Sequence, residues 1–490
     1  MNRNDNRITL QRIARRAMIS RGLAPDFPTD LLTELEGIVK PSTYKSGMTK
    51  DLRRLLWCSV DNVDSQDLDQ LSYAEQLPDN KVKLLIAIAD VGALVTQKSR
   101  IDNHASQNTT SVYTVAQTFS MLPEKLSTDL TSLSPDKDRY AVVVEMIIDD
   151  DGAVQQADIY LAMVFNHAKL EYESLGNWLE GNGSIPLDIS KVKELAENIQ
   201  LQDRIAQKMR ALRYEHGALD FETIEARPVF DGDSLSTMNV EQKNRAKNLI
   251  EEFMIAANSA TARYLADKKF PSLRRVVRTP KRWSRIVELA SEHGFSLPEK
   301  AESKSLSAYL KFIKQNEPLH FVDMSISVLK LLGAGEYVVE IPGSDSEGHF
   351  GLAVKDYTHS TAPNRRYPDL VTQRLIKSAI EGHSAPYSVE QLEEIAHHCT
   401  LKEDDARKVE RQVEKSANAM LLESRIGEVF EAIVSGASPK GTWIRIFYPH
   451  VEGKLVNGFR GMEVGNKLKV RLIQIDVEAG FIDFERIENM

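Results

Sequence analysis

The sequence predicts an α+β protein of several domains: a short N-terminal helical module, a mixed α/β centre and a small five-stranded barrel at the C-terminus. Three observations predict it. At 490 residues the chain is too long for one ordinary hydrophobic core. Its apolar periodicity changes twice, which divides it into residues 1–46, 47–422 and 423–490. The last stretch also carries strand punctuation at Gly436, Gly441, Gly453, Gly465 and Gly480.

In the first module, Ile8, Ile13, Ala14, Ala17 and Met18 recur at helical spacing. The stretch "APDFPTDLLTELEGI" breaks at Pro25 and Pro28 and restarts a helix that Thr29 or Asp30 is placed to cap. Such a module is either a packing element or a nucleic-acid-binding arm. Between 50 and 165 the chain is strand-rich. "KLLIAIADVGALV" and "RYAVVVEMIIDDDGAV" are β-branched runs, the second closing on the turn signal "DDDG". From about 190 to 270 the pattern is helical, with Leu249, Phe253, Ala256, Ala257, Ala260 and Tyr264 on one face. Residues 401–422 read as a charged helix with a solvated face.

From 423 on, apolar and polar residues alternate as in a small antiparallel barrel. Between Lys440 and Arg471 stand seven Lys or Arg against two Glu, with Trp443, Phe447 and Tyr448 among them. Aromatic faces amid positive charge suit stacking on single-stranded nucleic acid. The same periodicity also fits an ordinary barrel whose aromatics form its core.

Composition narrows the class. A chain that is 42% hydrophobic and 27% charged is that of a soluble globular protein, and no run approaches 18 apolar residues. The polar start lacks the apolar stretch of a secretory signal. Two cysteines, Cys58 and Cys399, cannot make a disulfide framework, so a reducing cytoplasm is expected. The net charge of −9 argues against a protein that coats nucleic acid indiscriminately, though local basic clusters can still steer a polyanion.

The chemistry concentrates in "SVDNVDSQDLDQ", with Asp61, Asp64, Asp67 and Asp69. In extended backbone Asp67 and Asp69 share a face while Leu68 points inward, and a short loop returns Asp61 to the same point. Hard oxygen donors converging in this way suit Mg²⁺ or Mn²⁺. A solvated acidic turn is the alternative, and the spacing rules out an EF-hand. A second stretch, "YTHSTAPNRRYPDLVTQR", places Arg365 and Arg366 on a proline-bounded turn before a helix, where arginine forks can hold phosphate. A third, "PSLRRVVRTPKR", holds five positive charges and no acid, and reads as a backbone-tracking wall or a basic loop.

Taken in order, the aspartate stretch, "NTTSVYTVAQTFSMLPEKLSTDLTSLSP", "IEEFMIAAN" and "HFGLAVKDYTHSTAPNRRYPDL" closely resemble the RNB catalytic domain of RNase II and RNase R. "GEVFEAIVSG" and "VGNKLKVRLIQID" resemble the OB-fold RNA-binding repeat of ribosomal protein S-one. The resemblance implies a Mg²⁺-dependent 3′-to-5′ exoribonuclease that releases nucleoside 5′-monophosphates from single-stranded RNA 3′ ends, with Mn²⁺ as a substitute ion. It implies a monomer that threads one strand. By motif, Asp61, Asp67 and Asp69 would hold metal, with Gln70 at a fourth ligand position. Asp69 would be the carboxylate on which chemistry most depends, and Arg365 would stabilise the transition state. Tyr113 and Phe221 would stack on the terminal nucleotide, and Tyr172 and Glu252 would contact sugars. Arg366, Lys440, Trp443, Arg445 and Phe447 would bind RNA.

The chain departs from the family pattern at two places. Gln70 replaces the second of two adjacent aspartates, which should weaken one metal. "STAPNRR" puts Ala362 and Asn364 at changed positions, read as tuning. The rival reading is a non-catalytic RNA-binding platform, disarmed by Gln70.

Overall fold

The computed structural model describes residues 6–487 except 46, 223–224, 233, 242, 319, 345–346, 439–440 and 464. A seven-stranded sheet organises its centre. In chain order β1 (Lys50–Asp51), β2 (Cys58–Asp61), β3 (Gln70–Gln76), β4 (Val82–Ala89), β7 (Asp138–Ile148), β8 (Val154–Phe165) and β9 (Ala168–Glu171) line up as β1-β8-β7-β4-β3-β2-β9. The short β5 (Val112–Tyr113) and β6 (Thr118–Phe119) pair apart from it. The β3-β4-β7-β8 ribbon is antiparallel, whereas β9 joins β2, and β1 joins β8, in parallel. β4 reads "VKLLIAIA" with little alternation because it is buried nearly throughout.

The helix Leu195–Glu215 covers β3, and Ser72 Oγ donates to Gln202 Oε1 across 2.7 Å. Against it packs the helix Arg245–Asp267, which buries Leu249, Phe253, Ala256, Ala257 and Ala260 as the spacing requires. A hairpin, β10 (Glu225–Asp231) with β11 (Ser234–Glu241), interrupts the region expected to be helical throughout.

Three of the five cations of the "PSLRRVVRTPKR" stretch, Arg274, Arg275 and Arg278, stand in ion pairs. The stretch forms β12 (Ser272–Val276), antiparallel to β13 (Glu336–Glu340), and between the two strands a three-helix lobe is inserted. That lobe, Trp283–Glu292, Ser303–Asn316 and Phe321–Leu332, has its own core around Ile286, Tyr309, Leu310 and Val328. Arg274 pairs with Glu340, Arg275 with Glu403, and Arg278 with Glu336 and Glu347. Arg274 and Arg275 are buried, and a buried cation needs such a partner, so those two charges serve the fold, whereas Arg278 is half exposed.

The helix Val389–Leu422, opened by a capping box of Ser388 and Gln391, departs from the solvated helix expected for 401–422. Ala406, Val409, Val413 and Ala417 bury a stripe against Leu10, Ala14, Ala17 and Met18 of the first helix, Asn6–Ser20, while Ala419 and Leu422 enter the barrel core. In the N-terminal module Ile8 is exposed, and Leu10 takes the place expected for it. The second helix, Thr29–Glu36, starts after Pro28 with no side-chain cap.

The C-terminal strands β14 (Val429–Ser438), β15 (Gly441–Ile446), β16 (Val451–Asn457), β17 (Lys467–Asp476) and β18 (Phe481–Arg486) close as β14-β15-β16-β18-β17. Gly453 is required inside: a Cβ there would lie 2.5 Å from the Phe484 ring. Among the described residues no helix is long and apolar enough to cross a membrane.

Candidate active site

Asp69 sits just before β3, and its carbonyl accepts from Ala89 N, so the ladder to β4 holds its backbone extended. Its carboxylate is 2% exposed and faces the "STAPNRR" turn. Asn364 N donates to Oδ1 at 3.1 Å and Arg365 Nε to Oδ2 at 3.3 Å. The turn is itself over-determined. Asp369, in the first turn of the helix Tyr367–Ile380, accepts from Ala362 N at 2.9 Å and from the Arg366 guanidinium at 2.7 Å. Ser111 N and Thr110 Oγ1 donate to the Arg365 carbonyl. Gln373 of the same helix bridges Ala89 O and Gly92 N, joining it to the end of β4.

Asp61 ends β2, and Asp67 lies between the two strands. Burial pushes the Asp69 carboxyl up to about 7 and Asp61 up to about 6, and raises Asp67; Arg365 opposes all three shifts. Mutual repulsion through Asp67 adds to the rise at Asp61 and Asp69, but dehydration is the first cause. Lys169 of β9 faces Asp61 and donates to Val63 O and Ser65 O at 2.9 and 2.7 Å, so it closes the aspartate loop.

Two expected tyrosines join the group. Burial lifts the Tyr113 hydroxyl to about 12, with Arg365, Asp67 and Asp69 all in electrostatic contact. Tyr113 is nonetheless 45% exposed, and its backbone N–H donates to Glu410 of the long helix at 2.9 Å. Tyr172, at the start of the helix Tyr172–Leu179, is raised by burial and then by Asp61.

The remaining expected residues are placed otherwise. Gln70, first residue of β3, shares its strand face with Ser72 and the covering helix, opposite to Asp69 in the pleat. Glu252 is 3% exposed, with both carboxylate oxygens engaged by Arg213. Phe221 packs on the core of the three-helix lobe. Arg366 is committed to Asp369. Arg445 reaches across from the barrel to Asp323 of the lobe at 2.9 Å. Trp443 lies over Gly436 and Gly441 within β14–β15, and Phe447 follows it half-buried. Lys440 lies outside the described residues. Of the residues that sequence reasoning missed, Lys169, Asp369 and Glu410 carry charge that is common on any surface. Only their contacts single them out.

Among the described residues no three His, Cys, Asp or Glu side chains form a ready-made metal cage. Mg²⁺ does not need one, because it uses one or two carboxylates and completes its shell with water and phosphate. The donors here are hard oxygens, and Asp61 Oδ2 is buried with no hydrogen-bond partner. Dehydrated acids with an orphaned oxygen fit a divalent cation, which would repay their burial.

The sequence matches the RNB domain over residues 49–382 and the RNase II-type exonuclease C-terminal S1 domain over residues 428–487. It is 28% identical over 501 residues to Ribonuclease R 1 of Lactococcus lactis, covering 96% of this chain and 60% of that relative. The chain thus spans about three fifths of that relative's length. The fold superposes on Mycoplasma genitalium RNase R in complex with ribose-methylated single-stranded RNA, with TM-score 0.87 and 24% identity over 99% of this chain and 78% of that one. It also resembles yeast Ssd1, a pseudonuclease, with TM-score 0.70 and 16% identity over 95% and 58% of the two chains.

Proposed function

Because the chain belongs to the RNB family, we propose that it is a 3′-to-5′ exoribonuclease that hydrolyses single-stranded RNA to nucleoside 5′-monophosphates. The carrying observation is the meeting of buried Asp69 with the Arg365 guanidinium and the Asn364 N–H, beside Asp61, Asp67 and two tyrosines.

Asp61, Asp67 and Asp69 would hold Mg²⁺ or Mn²⁺, and Gln70, on the opposite face of its strand, would stand outside that set. When bound, two such ions supply Lewis acidity that activates the attacking water and neutralises the leaving 3′ oxygen. Asp69 orients that water, and its own orientation is fixed by the Asn364 N–H. Arg365, whose side chain is 42% exposed, can turn part of its fork outward to a phosphate while Nε stays on Asp69. Tyr113, exposed yet anchored through its backbone, offers a face for the terminal base and is indifferent to sequence. Tyr172, beside Asp61, would contact a sugar near the scissile bond. RNA reaches the site as a single strand guided by the barrel, and the protein acts as a cytoplasmic monomer.

A second reading is favoured by one observation: the amide of Gln70 stands where the family pattern has an acid, and the fold also serves a pseudonuclease. In that reading the protein holds RNA without cutting it. A time course on a 5′-labelled unstructured RNA of about thirty nucleotides, with Mg²⁺ or EDTA and with Asp69→Asn in parallel, decides between them. A ladder shortening from the 3′ end with 5′-mononucleotides, silent with EDTA or Asp69→Asn, establishes the exonuclease. RNA retained in a gel shift but never shortened establishes the platform.

A further inference from the structure

Between the aspartate strand and the arginine turn lies one segment that touches both, Thr131–Ser132–Leu133, which follows a short π-helical turn, Lys125–Leu130. On one side Ser132 Oγ accepts from Leu68 N at 3.1 Å and donates to Gln66 O at 2.8 Å, and Leu133 N donates to Leu68 O at 2.9 Å. These three bonds fix the backbone on which Asp67 and Asp69 sit. On the other side Thr131 Oγ1 lies 2.6 Å from the side-chain amide of Asn364, whose backbone N–H is the donor to Asp69.

The Thr131 hydroxyl also lies 2.8 Å from Leu126 O. One proton cannot serve two carbonyl oxygens. The 2.6 Å bond takes it, Thr131 Oγ1 donating to Asn364 Oδ1, and Leu126 O is served by Thr131 N at 3.0 Å. Asn364 is 1% exposed and one atom of its amide has no partner, so Thr131 is what makes this buried polar side chain tolerable.

We propose that Thr131–Leu133 is a ruler that sets the separation of Asp69 from Arg365, and that Thr131 and Asn364 are positioning residues acting through it. The inference rests on the exonuclease reading. The amide at 364, one of the positions at which the chain departs from the family pattern, is then the partner of the hydroxyl at 131, and the two form one polar brace.

The test is a double-variant cycle on the full chain, with kcat and KM on the thirty-nucleotide RNA, melting temperature, and Mn²⁺ binding followed by loss of its free EPR signal. Thr131→Val strands the amide, and kcat falls about 30-fold, the size expected from one buried hydrogen bond, with KM within about two-fold. Thr131→Ser keeps the hydroxyl and the rate. Asn364→Ile with Thr131→Val, apolar on both sides, regains most of kcat, and Mn²⁺ affinity follows the same order. A lowered melting temperature with unchanged kcat and Mn²⁺ affinity in Thr131→Val overturns the ruler. So does a double variant no faster than the single one. A wild-type protein that leaves RNA intact overturns the exonuclease reading alone, and Mn²⁺ affinity then decides the ruler.

Discussion

Asp69 concentrates the residue-scale physics. Its carboxyl is pushed up to about 7 by burial, far above the ordinary carboxylate value. Between about pH 4 and pH 7 the folded protein therefore keeps a proton that the unfolded chain has lost, so stability falls as pH rises through that window. Metal-free protein should melt several degrees higher at pH 5.5 than at pH 8. Asp69→Asn should flatten that slope and melt above wild type at pH 8, while losing at least about 10³-fold in kcat; melting curves and RNA turnover check both. Arg365→Lys keeps charge but loses the fork. It should lower kcat about 10²-fold with little change in KM, as a group needed chiefly in the transition state must. Gln70 lies on the strand face opposite to Asp69, so Gln70→Asp should leave the Mg²⁺ concentration for half-maximal rate within about two-fold in a metal titration.

At the scale of elements, the residues that build the site were legible where chemistry and local geometry agree. Asp67-Leu68-Asp69 leads into a strand and Arg365 precedes a Pro-opened helix, as their local sequence implies; that the two stretches meet is visible only in the fold. Glu252 and Phe221 were not legible in this way. A glutamate on a helix looks the same whether it meets solvent or, as here, a buried Arg213. Phe221 packs on a lobe whose three helices come from residues 283–332, far along the chain. The charged run 401–422 misled for a related reason: small residues such as Ala406 and Ala417 pass unnoticed among charges, yet they let another helix approach. In the barrel, Gly453→Ala sets a Cβ against Phe484 and the Ile482 carbonyl. It should destabilise the barrel by roughly 1–3 kcal/mol, read as an earlier transition in denaturant melts.

Across the whole molecule, the long helix Val389–Leu422 carries the first helix on one stretch, the barrel at its end and, through Glu410, the backbone of Tyr113. The barrel is tied at two further points, Glu478 to Arg12 and Arg16, and Arg445 to Asp323. The first pair is exposed and contributes little. The second is mostly buried, so breaking it leaves a charge unpaired. Arg445→Glu should lower the melting temperature, and adding Asp323→Arg should restore it; failure of the swap would show that the pair does not hold barrel to lobe.

By itself the sequence determined the succession of helical, mixed and barrel regions and the family, because these follow from periodicity and from motifs short enough to read along the chain. Only the tertiary structure decided which polar groups are free. Whether an arginine, glutamate or aromatic faces the cleft or a neighbour depends on burial, and burial is set by chain segments hundreds of residues apart. Arg365 and Arg366 are adjacent in sequence, yet one meets the Asp69 carboxylate and the other is spent on Asp369.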